Sequence, residues 1–171
     1  AQAQALHAGL DEDNWLDGAA AIMTTDTVAK VASIRVTVDG SSYQISGLCK
    51  GSGMIHPNMA TMLAFVATDA PLDGSCLNTM LAEAVATTFN RITVDGDTST
   101  NDACVLSATG AGGGDLMQHD HPHVAAITAG VTRVCESLAQ AIVRDGEGAT
   151  KFVEIEVVGP TEADCHAVAN T

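Results

Sequence analysis

The amino-acid sequence predicts an α/β fold of the layered α+β kind, with mixed sheets covered by long helices, and three observations predict it. Apolar residues alternate on both sides of a two-residue turn at Asp39-Gly40, helical-period stripes begin at Leu77 and Val124, and short apolar runs occupy 61–67 and 103–108. Strands mixed with two long helices bury their apolar surfaces by laying helix on sheet. The 171 residues are 46% hydrophobic, enough for a core as one domain or as a large piece of a bigger one.

Taken in order, residues 14–23 read as a short helix behind cap signals at Asp13 and Asn14, running into the polar Thr24-Thr25-Asp26-Thr27. Ile34, Val36 and Val38 alternate with polar residues, Asp39-Gly40 supplies a hairpin turn, and Tyr43, Ile45 and Gly47 resume the period of two. Lys50 to Asn58 contains Gly and Pro and is expected to be a loop. The run from Thr61 to Ala67 is apolar after its first residue, as in a strand covered on both faces. Leu77, Met80, Leu81, Ala84, Val85 and Thr88 then recur at helical spacing, and the core explains all of them. A loop from Asp95 to Asp102 leads to a strand at Ala103 to Ala108 and a glycine-rich connection at Gly110 to Gly114. Val124, Ile127, Val131, Val134, Leu138 and Ile142 mark the second long helix, with Pro122 suited to its first turn and Gly146 to its end. Val153, Ile155 and Val157 predict a last strand, and a helix is expected to start near Thr161.

Composition excludes several functions. Seven Lys and Arg against 21 Asp and Glu give a net charge of −14, which repels a phosphate backbone, so no nucleic-acid partner is expected. The same field would draw in a cationic small molecule, although most acidic surfaces serve solubility alone. Cys49, Cys76, Cys104, Cys135 and Cys165 are odd in number and widely spaced, a pattern that fits reduced thiols. No stretch approaches the roughly 18 consecutive apolar residues that span a bilayer, and no charged-then-apolar leader opens the chain. A soluble cytoplasmic protein without a membrane partner is therefore expected. The chain opens on Ala within a helical-looking segment and stops soon after another begins, so both ends read as truncations.

The chemistry is concentrated in Lys50-Gly-Ser-Gly-Met-Ile-His-Pro-Asn-Met-Ala-Thr61. A loop rich in potential backbone donors delivers a small residue, Ala60, and then a hydroxyl, Thr61, to the edge of a buried strand. A threonine hydroxyl is a weak nucleophile that needs a base beside it. Cutting the Ala60–Thr61 bond would supply one, because the freed α-amino group, with an ordinary pKa of about 8, sits on the same residue. From spacing alone, an ordinary buried threonine at a strand start explains the same residues more simply.

The run KGSGMIHPNMATMLAF is similar to the segment around the self-cleavage point of the ornithine acetyltransferase family, in which an Ala–Thr bond breaks to leave α and β chains. AAAIMTTDT at Ala19 to Thr27, VDGDTSTND at Val94 to Asp102 and DGEGATK at Asp145 to Lys151 resemble the family too. Four motifs in the right order cover most of the chain.

The resemblance implies an ornithine acetyltransferase-like fold, incomplete here, with residues 1–60 as the end of an α chain and 61–171 as the start of a β chain. It implies that Thr61 takes the acetyl group of N-acetylornithine as an ester, releases ornithine and passes the acetyl to glutamate in a ping-pong reaction of arginine biosynthesis. Autoproteolysis at Ala60–Thr61 would use the same hydroxyl. By position, Thr24, Lys50 and Glu147 resemble the family's substrate-binding residues beside Thr61. Lys50 suits a substrate carboxylate, and Glu147 suits ornithine's ammonium. Read without the resemblance, Thr24 is a polar strand cap and Glu147 a solvated turn residue. No metal or bound cofactor is implied, although acetyl-CoA is a co-substrate of some members, and an α2β2 assembly is expected. The family's oxyanion-hole Thr-Gly pair lies upstream of this region and further substrate contacts lie at the extreme C-terminus, so neither maps here.

Other motifs carry less. Asp95, Asp97, Ser99 and Asn101 alternate like calcium ligands, but Thr100 and Leu106 stand where an EF-hand wants Gly and Glu. Cys49 to Gly53 resembles a phosphate loop with its lysine on the wrong side of the glycines. His119, His121 and His123 could bind a metal, but a polar connection before a helix is the simpler reading. His56 lies in the key loop without an assigned role. Two rival functions remain: a threonine amidase or aminopeptidase of the same self-processing design, which would pass its acyl group to water, and an inactive fragment.

Overall fold

The computed structural model describes residues 2–11, 13–56, 62–98 and 101–169. Its elements are α1 (Gln2–Ala8), α2 (Trp15–Ala21), β1 (Lys30–Val38), β2 (Ser41–Lys50), β3 (Leu63–Thr68), α3 (Gly74–Thr87), β4 (Ala103–Ala108), α4 (Val124–Arg144) and α5 (Glu162–Ala169). The described strands form one mixed sheet in the order β1-β2-β3-β4. The α/β layered class expected from the sequence is the one observed.

The hairpin turns at Asp39 and Gly40, with φ of 48° and 79°, the left-handed pair that matches strand twist in a two-residue loop. β1 and β2 pair antiparallel, as do β2 and β3, whereas β3 and β4 run parallel. A parallel pair needs a crossover, and α3 supplies it. Asp73 caps α3 by accepting Cys76 N–H at 2.7 Å, a bond that satisfies one of the open donors of the first turn.

Register decides which face is buried. Ile34 pairs with Ile45, Gly47 with Val66, and Val66 with Leu106, so all four strands turn these side chains to the face on which α4 and α3 lie. Ile127, Val131, Val134 and Ile142 of α4 are fully buried against it, each worth about 1.5–3 kcal/mol of apolar burial. Glycine sets the approach on both sides. A Cβ on Gly130 would stand 2.6 Å from Ile45 Cδ1 and Val36 Cγ2, and one on Gly47 would stand 3.0 Å from Leu138 and Val134.

Three expectations are corrected. The apolar run at 61–67 is not a strand covered on both faces: β3 begins at Leu63, and Phe65 is 40% exposed, because both long helices lie on one face and, among the described residues, only the short α2 reaches the other, where Gly18 meets Leu48. Residues 151–159 form no strand; Val153 and Ile155 are exposed, and Phe152 stacks under the Arg144 guanidinium. Alternation supplies a strand's side-chain pattern but not its ladder partner. Pro122 falls two residues ahead of α4 instead of in its first turn. No helix among the described residues is long and apolar enough to cross a membrane.

Gly130→Val is expected to destabilise the protein by about 2–3 kcal/mol, the scale of an overpacked core. Gly130→Ala should cost less, since alanine's better helix propensity returns about 1 kcal/mol. Urea denaturation of both variants checks the order.

Candidate active site

Construction of the site starts from a lysine. Lys30 opens β1 on the face turned toward the helices, so the period of two buries an ammonium group that would otherwise need water. Two carboxylates receive it: Asp26 Oδ1 at 2.6 Å and Asp145 Oδ2 at 2.5 Å, with side chains that are 0% and 5% exposed. The remaining acceptor capacity is used as well. Asp26 Oδ1 accepts Gly51 N–H at 2.7 Å, Asp26 Oδ2 accepts Thr24 N–H, and Asp145 accepts both the hydroxyl and the N–H of Thr27. Burial by itself would raise the Asp26 carboxyl, but the Gly51 and Lys30 hydrogen bonds outweigh it and leave it below its ordinary value. At Asp145 burial is likewise overcome, by Lys30 and Thr27.

This cluster joins three stretches that are remote in sequence. Thr24 lies two residues before Asp26, Lys50 directly before Gly51, and Glu147 two residues after Asp145. Lys50 Nζ donates to Thr24 Oγ1 at 3.4 Å. The loop beyond Lys50 is clamped to the end of α4: Ser52 Oγ donates to the Asp145 carbonyl at 2.9 Å, and Glu147 N–H donates to the Ser52 carbonyl at 2.7 Å. Gly53 lies so close to Glu147 that a Cβ there would stand 2.9 Å from the carboxylate carbon. Thr24, Lys50 and Glu147, singled out from the sequence, thus gather at one end of the sheet.

The loop is fastened on its other side by the segment that follows α3. Asp95 accepts Met54 N–H at 2.6 Å and Ile55 N–H at 3.2 Å, Val94 N–H donates to the Ile55 carbonyl, and His56 Nδ1 lies 3.4 Å from Thr93 Oγ1. Met54 takes a left-handed φ of 53°, which a side chain adopts at a cost. Beyond the loop, Ala60 and Thr61, the expected cleavage site and nucleophile, lie outside the described residues. The chain after them is fixed: Met62 N–H donates to Asp102 Oδ1 at 2.9 Å, Ala103 N–H donates to the Met62 carbonyl, and Leu63 pairs with Lys50 across the β2–β3 ladder. Burial raises the Asp102 carboxyl, against the opposing pull of Met62 N–H and the Lys50 charge. Among the described residues no cluster of three metal-binding side chains forms; His123 instead lies 3.3 Å from the Tyr43 hydroxyl.

All four stretches of the sequence resemblance therefore meet around one loop. A model of the ArgJ family matches residues 1–171. The chain belongs to the ArgJ family. The arginine biosynthesis bifunctional protein ArgJ of Psychrobacter arcticus is 52% identical over 97% of this chain and 43% of its own length. The mitochondrial protein of that name from Schizosaccharomyces japonicus is 49% identical over 95% of the chain and 38% of its own length. This ArgJ-family chain accordingly spans about two fifths of those relatives. The crystal structure of the ArgJ protein of Bacillus halodurans shares 48% identity over 51% of the chain and 41% of its own, with a TM-score of 0.49.

Sequence alone assigns no role here to Lys30, Asp26, Asp102 or Asp145, and Asp95 figures there only as a calcium-type ligand that is set aside. Lys30 left a signal, a lysine in phase with Ile34 and Val36 on the buried side of an alternating strand. Replacing it by Met leaves two buried carboxylates facing each other, and a loss of about 3–5 kcal/mol is expected in chemical denaturation at neutral pH. Because Asp26 and Asp145 titrate below their ordinary value in the folded state, their contribution is complete above the unfolded carboxyl pKa of about 3.9 and disappears as pH falls through the lower folded values. Asp145→Asn should flatten the loss of stability in that acid range.

Proposed function

We propose that the protein carrying this chain transfers the acetyl group of N-acetylornithine to glutamate through an acetyl ester on Thr61, after cutting its own backbone at Ala60–Thr61. The observation that carries the reading is the convergence of Lys50, Thr24 and Glu147 on the loop that runs toward Thr61. A cation and an anion on either side of one loop suit a substrate with a carboxylate and an ammonium group. Lys50 would hold the carboxylate and Glu147 the ammonium, with the Thr24 hydroxyl as a further polar contact.

In the transfer, Thr61 Oγ bonds to the acetyl carbon, the amide C–N bond to ornithine breaks, and the hydroxyl proton leaves on the ornithine nitrogen. Glutamate's amine then takes the acetyl from the ester and returns a proton to Oγ. Self-cleavage is the same attack directed at the Ala60 carbonyl, with water opening the ester. No metal is required, and acetyl-CoA would act as an alternative acyl donor, not as a resident cofactor.

Cleavage there would fall between β2 and β3 in sequence, dividing one sheet and not two domains. Six register pairs from Ile45–Thr68 to Lys50–Leu63 join those strands, so residues 1–60 and 61–171 would remain associated as α and β chains of an α2β2 assembly. The free thiols suit a reducing, cytoplasmic setting.

Intact-mass spectrometry after incubation with N-acetylornithine tests the reading: a cut at Ala60–Thr61 and one acetyl on the Thr61-bearing piece are expected, and Thr61→Ala should abolish both. The two pieces should co-elute on native size exclusion and separate in denaturant. Acetyl release that is indifferent to glutamate would point to a hydrolase instead. Lys50→Ala and Glu147→Gln should each raise KM for N-acetylornithine about 10- to 100-fold, the worth of one charged hydrogen bond. Gly53→Ala should raise KM by pushing the Glu147 carboxylate aside while leaving the melting temperature nearly unchanged.

A further inference from the structure

We propose that Asp102 is a positioning residue for the nucleophile, with Oδ1 holding the backbone next to Thr61 and Oδ2 kept for the α-ammonium group that backbone cleavage creates there. The proposal rests on the acetyl-threonine reading above.

The two oxygens of Asp102 are used unequally. Oδ1 accepts the Met62 N–H at 2.9 Å. Oδ2 is buried and has no hydrogen-bond partner, the only such side-chain oxygen or nitrogen among the described residues. A buried carboxylate oxygen without a donor loses its hydration and gains nothing in return, and the penalty is larger for a charged group than for a neutral one. Such an atom calls for a missing donor. The Lys50 ammonium at the end of β2 acts on Asp102 through its charge; its Nζ is directed to the Thr24 hydroxyl, and no hydrogen bond joins it to Oδ2.

Covalent connection identifies the donor. Met62 N is bonded to the carbonyl carbon of Thr61, and the α-nitrogen of Thr61 is two bonds further on, so bond lengths and angles alone keep it within about 3.7 Å of Met62 N. Before cleavage that nitrogen is a peptide N–H. After cleavage it is an amine that takes a proton from Oγ or from water, becoming a cation one residue from the N–H that Asp102 Oδ1 already holds. The burial that raises the Asp102 carboxyl is offset once this cation forms, so the cleaved state satisfies a group that the uncleaved state leaves open.

In the transfer Asp102 exchanges no proton. It orients the amine that takes the Oγ proton and hands it to the leaving ornithine nitrogen, and it stabilises the ammonium that exists between those steps. A neighbouring opposite charge favours the protonated amine, typically by one to three pKa units.

The test is the pH profile of Thr61 acetylation in Asp102→Asn. Asparagine keeps an acceptor for Met62 N–H but removes the charge. The acid limb of the profile, which requires a neutral amine, should move to lower pH by about one unit; a purely structural role would leave it in place. Asp102→Ala, which also frees Met62, should lose most of kcat with little change in KM. Independently of any variant, ¹⁵N NMR of the cleaved wild-type protein should show the Thr61 α-amine titrating above its ordinary value of about 8. An unmoved acid limb in Asp102→Asn, or an amine titrating at or below 8, overturns the assignment while leaving the acetyl-threonine reading intact. A wild-type protein that neither cleaves nor becomes acetylated overturns both.

Discussion

One buried ammonium group, that of Lys30, holds the candidate site in shape. It sits where strand alternation demands an apolar side chain, and two carboxylates from opposite ends of the chain neutralise it. Ion pairs in such surroundings contribute little net stability, because desolvation cancels most of the attraction. What they provide is geometry. A carboxylate that must meet Lys30, Gly51 N–H and Thr24 N–H at once leaves the Thr24 and Gly51 segments few alternative positions, and Asp145 extends the same constraint to the end of α4.

The rest of the fold brings those ends together. α4 crosses the sheet at a place where glycine stands on both sides, Gly47 on β2 and Gly130 on the helix, so backbone and side chains approach closely. The rigid layer thus formed sets where Asp145 and Glu147 emerge relative to Lys50. Between them the loop at 51–56 carries a left-handed Met54, and Asp95 fixes it through two backbone donors. Strain of this kind, about 1–3 kcal/mol for a non-glycine residue, persists where surrounding bonds leave no other choice.

Much of this was legible in the sequence. The hairpin at Asp39-Gly40 follows from local turn chemistry, and α3, β4 and α4 follow from periodicity, because those signals reside in neighbouring residues. Val153 to Val157 has the same alternation and forms no strand, since pairing depends on an edge that sequence spacing does not describe. Thr24, Lys50 and Glu147 were found through motif resemblance, and the structure explains why motifs so far apart belong together. The roles of Asp26, Asp95 and Asp145 are not legible in the sequence, where Asp95 resembles only a calcium-type ligand, because their work is to accept backbone N–H groups and one buried lysine from distant segments, a role that any surface aspartate resembles until the fold is known. Asp102 reads as the end of a loop, which it is, directly ahead of β4; that Oδ1 meets Met62 N–H while Oδ2 is closed off without a donor is set by contacts between segments that sequence spacing does not describe.

Register also aligns Val31, Leu48, Phe65 and Val105 in a single row across the four strands, on the face away from α4. Leu48 is covered by α2, while the other three are 40–43% exposed. Such a row is an adhesive strip running along the hydrogen-bonding direction, and two molecules could stack through it. The net charge of −14 opposes that approach at long range. Salt shortens this repulsion to about 10 Å at 0.1 M, so the colloidal behaviour of the chain is governed by ionic strength as much as by its hydrophobic content.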